Sequence, residues 1–215
     1  MSDAPFFEPL PEPEEPFDEE EQVVDLPWMP PSHIAGVIAP LDVDVFRSDD
    51  VAVRVTHAVC FRRGFELHVS AWVRPGNRPR QPGVHHHWGV EEPRVGIRLA
   101  DGTRLGHRHP HAPMDADAEG AEEAEQPAVS MTQTHGGFES LRASSSWWLH
   151  PVPDGDSREV VVEWVYAGVP ESAGRVDLEP LREAAARDSV LWDPPPPPEE
   201  GVGWFAYAPM GGSVY

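Results

Sequence analysis

The sequence of 215 residues contains a single cysteine and no lysine. One cysteine, Cys60, excludes an intrachain disulfide and a zinc site built on several thiolates. Because Cys60 alternates with Ala58 and Arg62 along an apolar run, we interpret it as a small packing residue rather than a catalytic thiol. Without lysine, arginine supplies all 16 basic side chains, and arginine keeps its charge and forks onto carboxylates.

Long apolar runs are also absent. No stretch approaches the roughly 20 residues of a membrane-spanning helix, and the N-terminus lacks the basic and apolar regions of a signal peptide. The net charge of -21 argues against nucleic-acid and anionic-membrane binding and can favour basic partners. We therefore expect a cytoplasmic protein that binds neither nucleic acid nor a membrane.

Composition divides the chain into three parts. Residues 1–26 carry ten acidic side chains and no basic one, which predicts a disordered acidic arm. Residues 193–215 begin with a run of prolines and predict a polyproline linker with an aromatic tail. Residues 27–192 are long enough for one core, with mobile loops predicted at 75–93 and 107–126.

Alternation of apolar and polar residues in the middle of the chain predicts strands. In residues 51–61 every second side chain is apolar or His57, which predicts one buried face. Its members are Val51, Val53, Val55, His57, Val59 and Phe61. A second alternating run follows from Phe65 to Val73, and the short connection between the two predicts a hairpin. Asp101-Gly102 predicts another hairpin turn, because Gly readily takes positive φ.

Residues 138–172 predict two antiparallel strands on either side of a tight turn at residues 154–156. Asp177 is positioned to cap a helix over residues 178–189. About eight short strands and one helix near the C-terminus predict an all-β fold. The expected architecture is an immunoglobulin-like antiparallel β-sandwich with one short C-terminal helix and two tails.

Histidines cluster in both predicted loops. The two groups are His85, His86 and His87, and His107, His109 and His111. Neutral imidazole is a good ligand for zinc, nickel or copper, so these side chains could form a metal site. The alternative is a histidine-rich loop that binds metal weakly and incidentally, since Pro110 and Arg108 interrupt the second group.

Other catalytic motifs are missing. The serines at 144–146 lack the flanking glycines of a nucleophile elbow, and Asp154-Gly155-Asp156 lacks the spaced glutamate of a calcium-binding EF-hand. We therefore assign no catalytic residue and no cofactor, and a hydrolase ranks behind a binding protein and a metal-dependent protein.

The C-terminal tail suggests a second kind of site. Trp204, Phe205 and Tyr207 follow a polyproline spacer, as a tethered docking motif would. Equally, the aromatic peptide could fold back onto its own domain, because aromatic side chains seldom stay fully solvated.

Short motifs over residues 26–192 resemble those of an uncharacterised family of β-sandwich proteins from Streptomyces and other actinobacteria. They are Leu26-Pro27-Trp28-Met29, the Gly36–Leu41 run, Arg98–Gly102, the glycines at Gly136, Trp148–Gly155, Glu163-Trp164 and Gly168–Glu171. The resemblance implies a sandwich fold and a bacterial cytosolic origin. It transfers no catalytic residue, because the family has no assigned activity.

The leading interpretation is a non-enzymatic protein-binding or accessory module that contacts another protein through its loops or tails. The alternative is a metal-binding or metal-dependent protein that uses His85, His87, His107, His109 and His111.

The metal hypothesis makes a direct prediction. If the loop imidazoles share one metal, calorimetric titration with Zn²⁺ or Ni²⁺ should show saturable binding well tighter than about 1 mM, because several ligands act on one ion. Binding no tighter than that would exclude the site.

Overall fold

The computed structural model describes residues 25–26, 29–77, 93–106, 129–139 and 141–195. These segments contain eleven strands, one α-helix and a short 3₁₀ turn at Val165–Ala167. The strands are β1 (Ile34–Ala35), β2 (Val37–Arg47), β3 (Val51–Phe61), β4 (Gly64–Val73), β5 (Arg94–Arg98), β6 (Arg104–Gly106), β7 (Ser130–Glu139), β8 (Arg142–His150), β9 (Ser157–Trp164), β10 (Val169–Asp177) and β11 (Ser189–Val190), and the helix α1 spans Glu179–Ala185.

The strands form two main antiparallel sheets. One has the order β2-β3-β4-β8-β7 and the other β10-β9-β5-β6, while β1 and β11 make a small separate pair. β2 lies beside β10, and β7 lies beside β6, so the sheets are stacked in the same order. The predicted antiparallel β-sandwich with one short C-terminal helix is confirmed for the described residues, and the narrower immunoglobulin-like assignment stays a prediction.

The core lies between the inner faces of the two sheets. Trp147 of β8 and Trp164 of β9 are its largest side chains, and both are almost fully buried. Phe138 of β7 meets the Trp164 ring edge-on, with ring centroids 5.9 Å apart. Burial of two tryptophan side chains stabilises a fold by several kcal/mol, at roughly 25 cal/mol per Å² of apolar surface removed from water.

The alternation predicted for β3 holds only over its first half. A register irregularity between Val55 and His57 shifts the phase of the strand. Beyond it, Ala58 and Cys60 face the core, whereas His57 pairs with His68 on the outer face. The prediction that His57, Val59 and Phe61 continue the face of Val55 was therefore wrong, because a bulge inserts one residue and reverses the alternation. Phe61 is buried, but it packs against Trp148 on the outer face.

The turn at residues 154–156 does not join a hairpin. β8 pairs with β4 and β7, whereas β9 pairs with β5 and β10. The segment between them crosses from one sheet to the other, so the predicted pairing was wrong. Gly155 has a positive φ of 83°, which a sheet-crossing turn requires as much as a hairpin does.

The hairpin predicted at Asp101-Gly102 is confirmed between β5 and β6. Gly102 has a φ of 87°, and the Thr103 backbone N–H donates to the Asp101 carboxylate at 2.8 Å. These two features fix the turn because glycine tolerates positive φ and an aspartate side chain closes a local ring.

Helix α1 closes one end of the sandwich against β2, β3 and β4. It is shorter than predicted, and its N-cap is Leu178. Asp177 instead ends β10, paired with Ser157. Asp188, whose side chain is 4% exposed, accepts the Arg62 backbone N–H at 3.0 Å and its Nε at 2.9 Å. The segment after the helix is thus fastened to the β3–β4 turn.

Most of the predicted arm, loops and tail lies outside the described residues. Asp25, within the predicted arm, makes a two-pronged ion pair with Arg63, with N–O distances of 2.6 and 2.7 Å. Arg63 also donates to the carbonyl oxygens of Leu26 and Met29, each at 3.3 Å. The segment that precedes β1 is therefore attached to the same β3–β4 turn as the segment after the helix.

Substitution of Asp188 should test this attachment. We expect Asp188→Ala to lower the free energy of unfolding by about 1–3 kcal/mol, because it leaves a backbone N–H without its buried acceptor. Asp193→Ala, at an exposed position, is the matched control and should change it far less. Urea denaturation of the three proteins measures the difference, and equal midpoints would contradict the attachment.

Candidate functional site

Both sets of site residues predicted from the sequence fall outside the described residues. They are the loop histidines His85, His87, His107, His109 and His111, and the tail aromatics Trp204, Phe205 and Tyr207. The metal and tail-docking hypotheses therefore stay predictions. Within the described segments, no group of three His, Cys, Asp or Glu side chains could hold a metal ion.

Cys60 behaves as the sequence indicated. It is fully buried in the core, and burial raises the pKa of its thiol to about 11. Because the thiolate is the reactive form, this cysteine is chemically inert at neutral pH. The interpretation of Cys60 as a small packing residue is confirmed.

The outer face of the five-stranded sheet carries a polar row that sequence inspection missed. Strand register places His57 opposite His68, His68 opposite Ser146, and Ser146 opposite His135. We call these four residues the histidine row. They come from β3, β4, β8 and β7, and only the pairing of four strands brings them together. The alternation of Glu66 and His68 with core residues in β4 was the available signal.

Contacts within the row are close. The His57 and His68 rings stack with centroids 4.0 Å apart and planes 10° from parallel. Ser146 Oγ lies 2.9 Å from His68 Nδ1, and His68 Nε2 lies 3.3 Å from Glu66 Oε2. The Thr134 hydroxyl, at a register irregularity of β7, donates to the Glu66 carboxylate. Ring stacking, a hydrogen bond and an ion pair thus link His57, His68 and Ser146 of the row to Glu66 beside it.

Electrostatics set the charge states of Glu66 and His57 near neutral pH. Burial is the largest influence on Glu66 and would raise its pKa, but hydrogen bonds from His68 and Thr134, with the charges of His68 and His135, outweigh it and lower the pKa. Burial, and then repulsion from His68, lower the pKa of His57 against the weaker opposing pull of Glu66. Glu66 is therefore ionised and His57 neutral at pH 7.

Ser146, His68 and Glu66 occur in the order of a serine nucleophile, its base and an acid. Ser146 is only 6% exposed, and it lies in mid-strand between two paired neighbours. The main-chain N–H groups around it are engaged in those ladders, so they are not available to stabilise an oxyanion. The arrangement suits recognition better than nucleophilic attack.

Trp148 lies on this same outer face and is nevertheless fully buried. Phe61 meets its ring edge-on at 5.5 Å, and Gly64 leaves the space beside it, since a Cβ there would come within 2.7 Å of the indole. Trp147 faces the core, so the adjacent Trp148 faces away from it, but neighbouring groups cover its ring.

The open side of β7 borders the histidine row. β7 is ten residues long, and its last five residues, His135 to Glu139, are all exposed. In the described part of the chain, β8 is its only strand partner within a sheet. Gly136 and Gly137 leave the backbone there without side chains, and a Cβ at Gly137 would meet nothing within 4 Å.

Comparisons with protein-family models, with curated proteins and with solved structures gave no match to this chain. Within the described residues, no helix is both long and apolar enough to cross a membrane.

The lowered pKa of His57 predicts a pH-dependent stability. Because the folded-state pKa lies below the ordinary value of 6.5, the contribution of His57 is fully present above that value and is lost as the pH falls through it toward the folded-state pKa. When the pH falls from about 8 to about 5, we expect the free energy of unfolding to decrease less for His57→Gln than for the unaltered protein.

Urea denaturation at each pH measures this slope. The difference between the two proteins at about pH 8 reports packing alone, because the ordinary histidine is neutral there. Parallel pH profiles would show that the row does not impose the shift.

Proposed function

We propose that this protein is a non-enzymatic, protein-binding β-sandwich that receives an extended segment of another protein along the open side of β7. The observation that carries the proposal is the exposed half of that strand, from His135 to Glu139. An unpaired edge presents a row of N–H and C=O groups, which a partner strand can complete.

β7 has few of the sequence features that normally prevent an edge strand from pairing with another chain. Its sequence, SMTQTHGGFE, has no proline and no lysine, and its one irregularity lies between Gln133 and His135. Beyond that point, Gly136 and Gly137 allow another backbone to approach closely. The exposed half therefore has the length and the access that strand addition needs.

The surroundings of β7 define the chemistry of the partner. On the inner side, Phe138 is 38% exposed and offers an apolar contact. On the outer side, Glu139 lies at the exposed end of the strand, and the ionised Glu66 lies two strands away, level with Thr132. The fitting segment alternates apolar and basic side chains, and the net charge of -21 favours a basic partner at long range.

The proposal includes a cytoplasmic setting and an origin in the actinobacterial family that the sequence motifs resemble. A single buried cysteine without a disulfide suits a reducing compartment. The acidic charge disfavours nucleic acid and anionic membranes as partners.

Selection of displayed peptides tests the proposal. Random peptides of ten residues, the length of β7, would be selected on the purified full-length protein. We expect enriched peptides to alternate apolar and basic residues, and their affinity to fall at least about tenfold for Gly137→Lys. The lysine adds a side chain and a repelling charge at the binding edge, at a position with room for it.

Ile38→Lys is the matched control. Ile38 is 64% exposed and lies on β2, the opposite edge strand of the same sheet, so the variant makes the same change of charge elsewhere. Peptides that bind all three proteins equally, or no enrichment at all, would contradict strand addition at β7.

A further inference from the structure

A second charged row crosses the outer face of the four-stranded sheet. Register places Arg104 opposite Arg98, Arg98 opposite Glu159, and Glu159 opposite Arg175. We call these four residues the arginine row. It joins all four strands of the sheet, from β6 through β5 and β9 to β10, and it contains three cations for one anion.

The ion pairs of the row involve Arg98 and Arg175 but not Arg104. Arg98 reaches Glu159 at 2.5 Å and Glu171 at 3.8 Å. Arg175 lies 3.7 Å from Asp177, with both side chains at least 70% exposed, so this pair is screened by water. Among the described residues, no acidic side chain pairs with Arg104. Like charges directly opposite on neighbouring strands, as at Arg98 and Arg104, are destabilising without a counterion.

A buried arginine, the second residue of β9, precedes Glu159 of the row and lies opposite Val176. Arg158 is 7% exposed, and its Nη1 donates to the Ser157 carbonyl oxygen at 2.5 Å. Its Nε is buried without a hydrogen-bond partner. Asp101 is a nearby carboxylate, but its lowered pKa comes first from hydrogen bonds with Thr103, and Arg158 contributes least.

A cavity of about 220 Å³ lies beside Arg98, Arg158 and Arg175, whereas Arg104 is not among its lining residues. Its lining residues are Arg98, Leu99, Ala100, Ser157, Arg158, Glu159 and Arg175. Three arginines and one glutamate therefore contribute to the lining of one small space. Burial of an unpaired cation is costly unless a charged or hydrogen-bonding partner compensates it, and an anion in this cavity would supply that partner.

We propose that this cavity binds a small multivalent oxyanion, either a phosphate-bearing ligand or a polycarboxylate. Guanidinium groups offer paired N–H donors in a planar fork, which match both phosphate and carboxylate oxygens. The folded part of the chain can support such a site, because the described segments hold 13 of the 16 arginines but only 18 of the 37 acidic residues. The site lies on the opposite sheet from β7 and does not depend on strand addition there.

Calorimetry on the full-length protein tests this site. Pyrophosphate and citrate are the two probes, each added at constant ionic strength maintained with chloride. We expect saturable binding of at least one probe, tighter than about 1 mM. Binding of pyrophosphate alone indicates a phosphate-bearing ligand, citrate alone indicates a polycarboxylate, and both together support the oxyanion class as a whole.

Arg175→Gln is the variant that carries the test, because Arg158 is buried and its replacement could prevent folding. Arg175 and Arg47 form a matched pair, since each is 70% exposed and each lies near one aspartate, at 3.7 and 3.9 Å. We expect Arg175→Gln to weaken binding at least about tenfold and Arg47→Gln to leave it unchanged. Equal binding by the two variants, or no binding of either probe tighter than about 1 mM, would overturn the proposal.

Discussion

Two sheets share one apolar core, and each strand must turn alternate side chains toward it. This constraint decides what the outer faces can carry, because a side chain excluded from the core takes a fixed place beside its cross-strand neighbours. The bulge after Val55 illustrates this constraint. One inserted residue brings Ala58 into the core and places His57 against the ring of His68. The histidine row and the arginine row both follow from register in this way.

Much of the fold could be predicted from local patterns. Alternation identified β3, β4 and β9, the Asp101-Gly102 turn was found, and the helix was placed within a few residues of its observed bounds. The errors in strand pairing and in strand alternation arose where the same local sequence is compatible with two structures. A turn rich in Asp and Gly serves a hairpin and a sheet crossing alike, and a bulge has no signature in the residues that form it.

The candidate sites were harder to predict than the fold. His57, His68, Ser146 and His135 lie on four strands, and Arg98 and Arg175 are 77 positions apart in the sequence. No window of sequence contains either row, so only strand pairing reveals them. The loop histidines could be identified from the sequence because they are neighbours along the chain, and their metal site stays a prediction.

The contact between Asp188 and the β3–β4 turn also affects the order in which the parts of the domain fold. The backbone of Arg62 and the carboxylate of Asp188 are separated by 126 positions, and β1 near the start of the domain pairs with β11 at its end. During synthesis, the β3–β4 hairpin emerges long before the residue that seals it. The end of the nascent sandwich at the β3–β4 turn therefore stays uncovered until Asp188 and β11 have been synthesised and have left the ribosome.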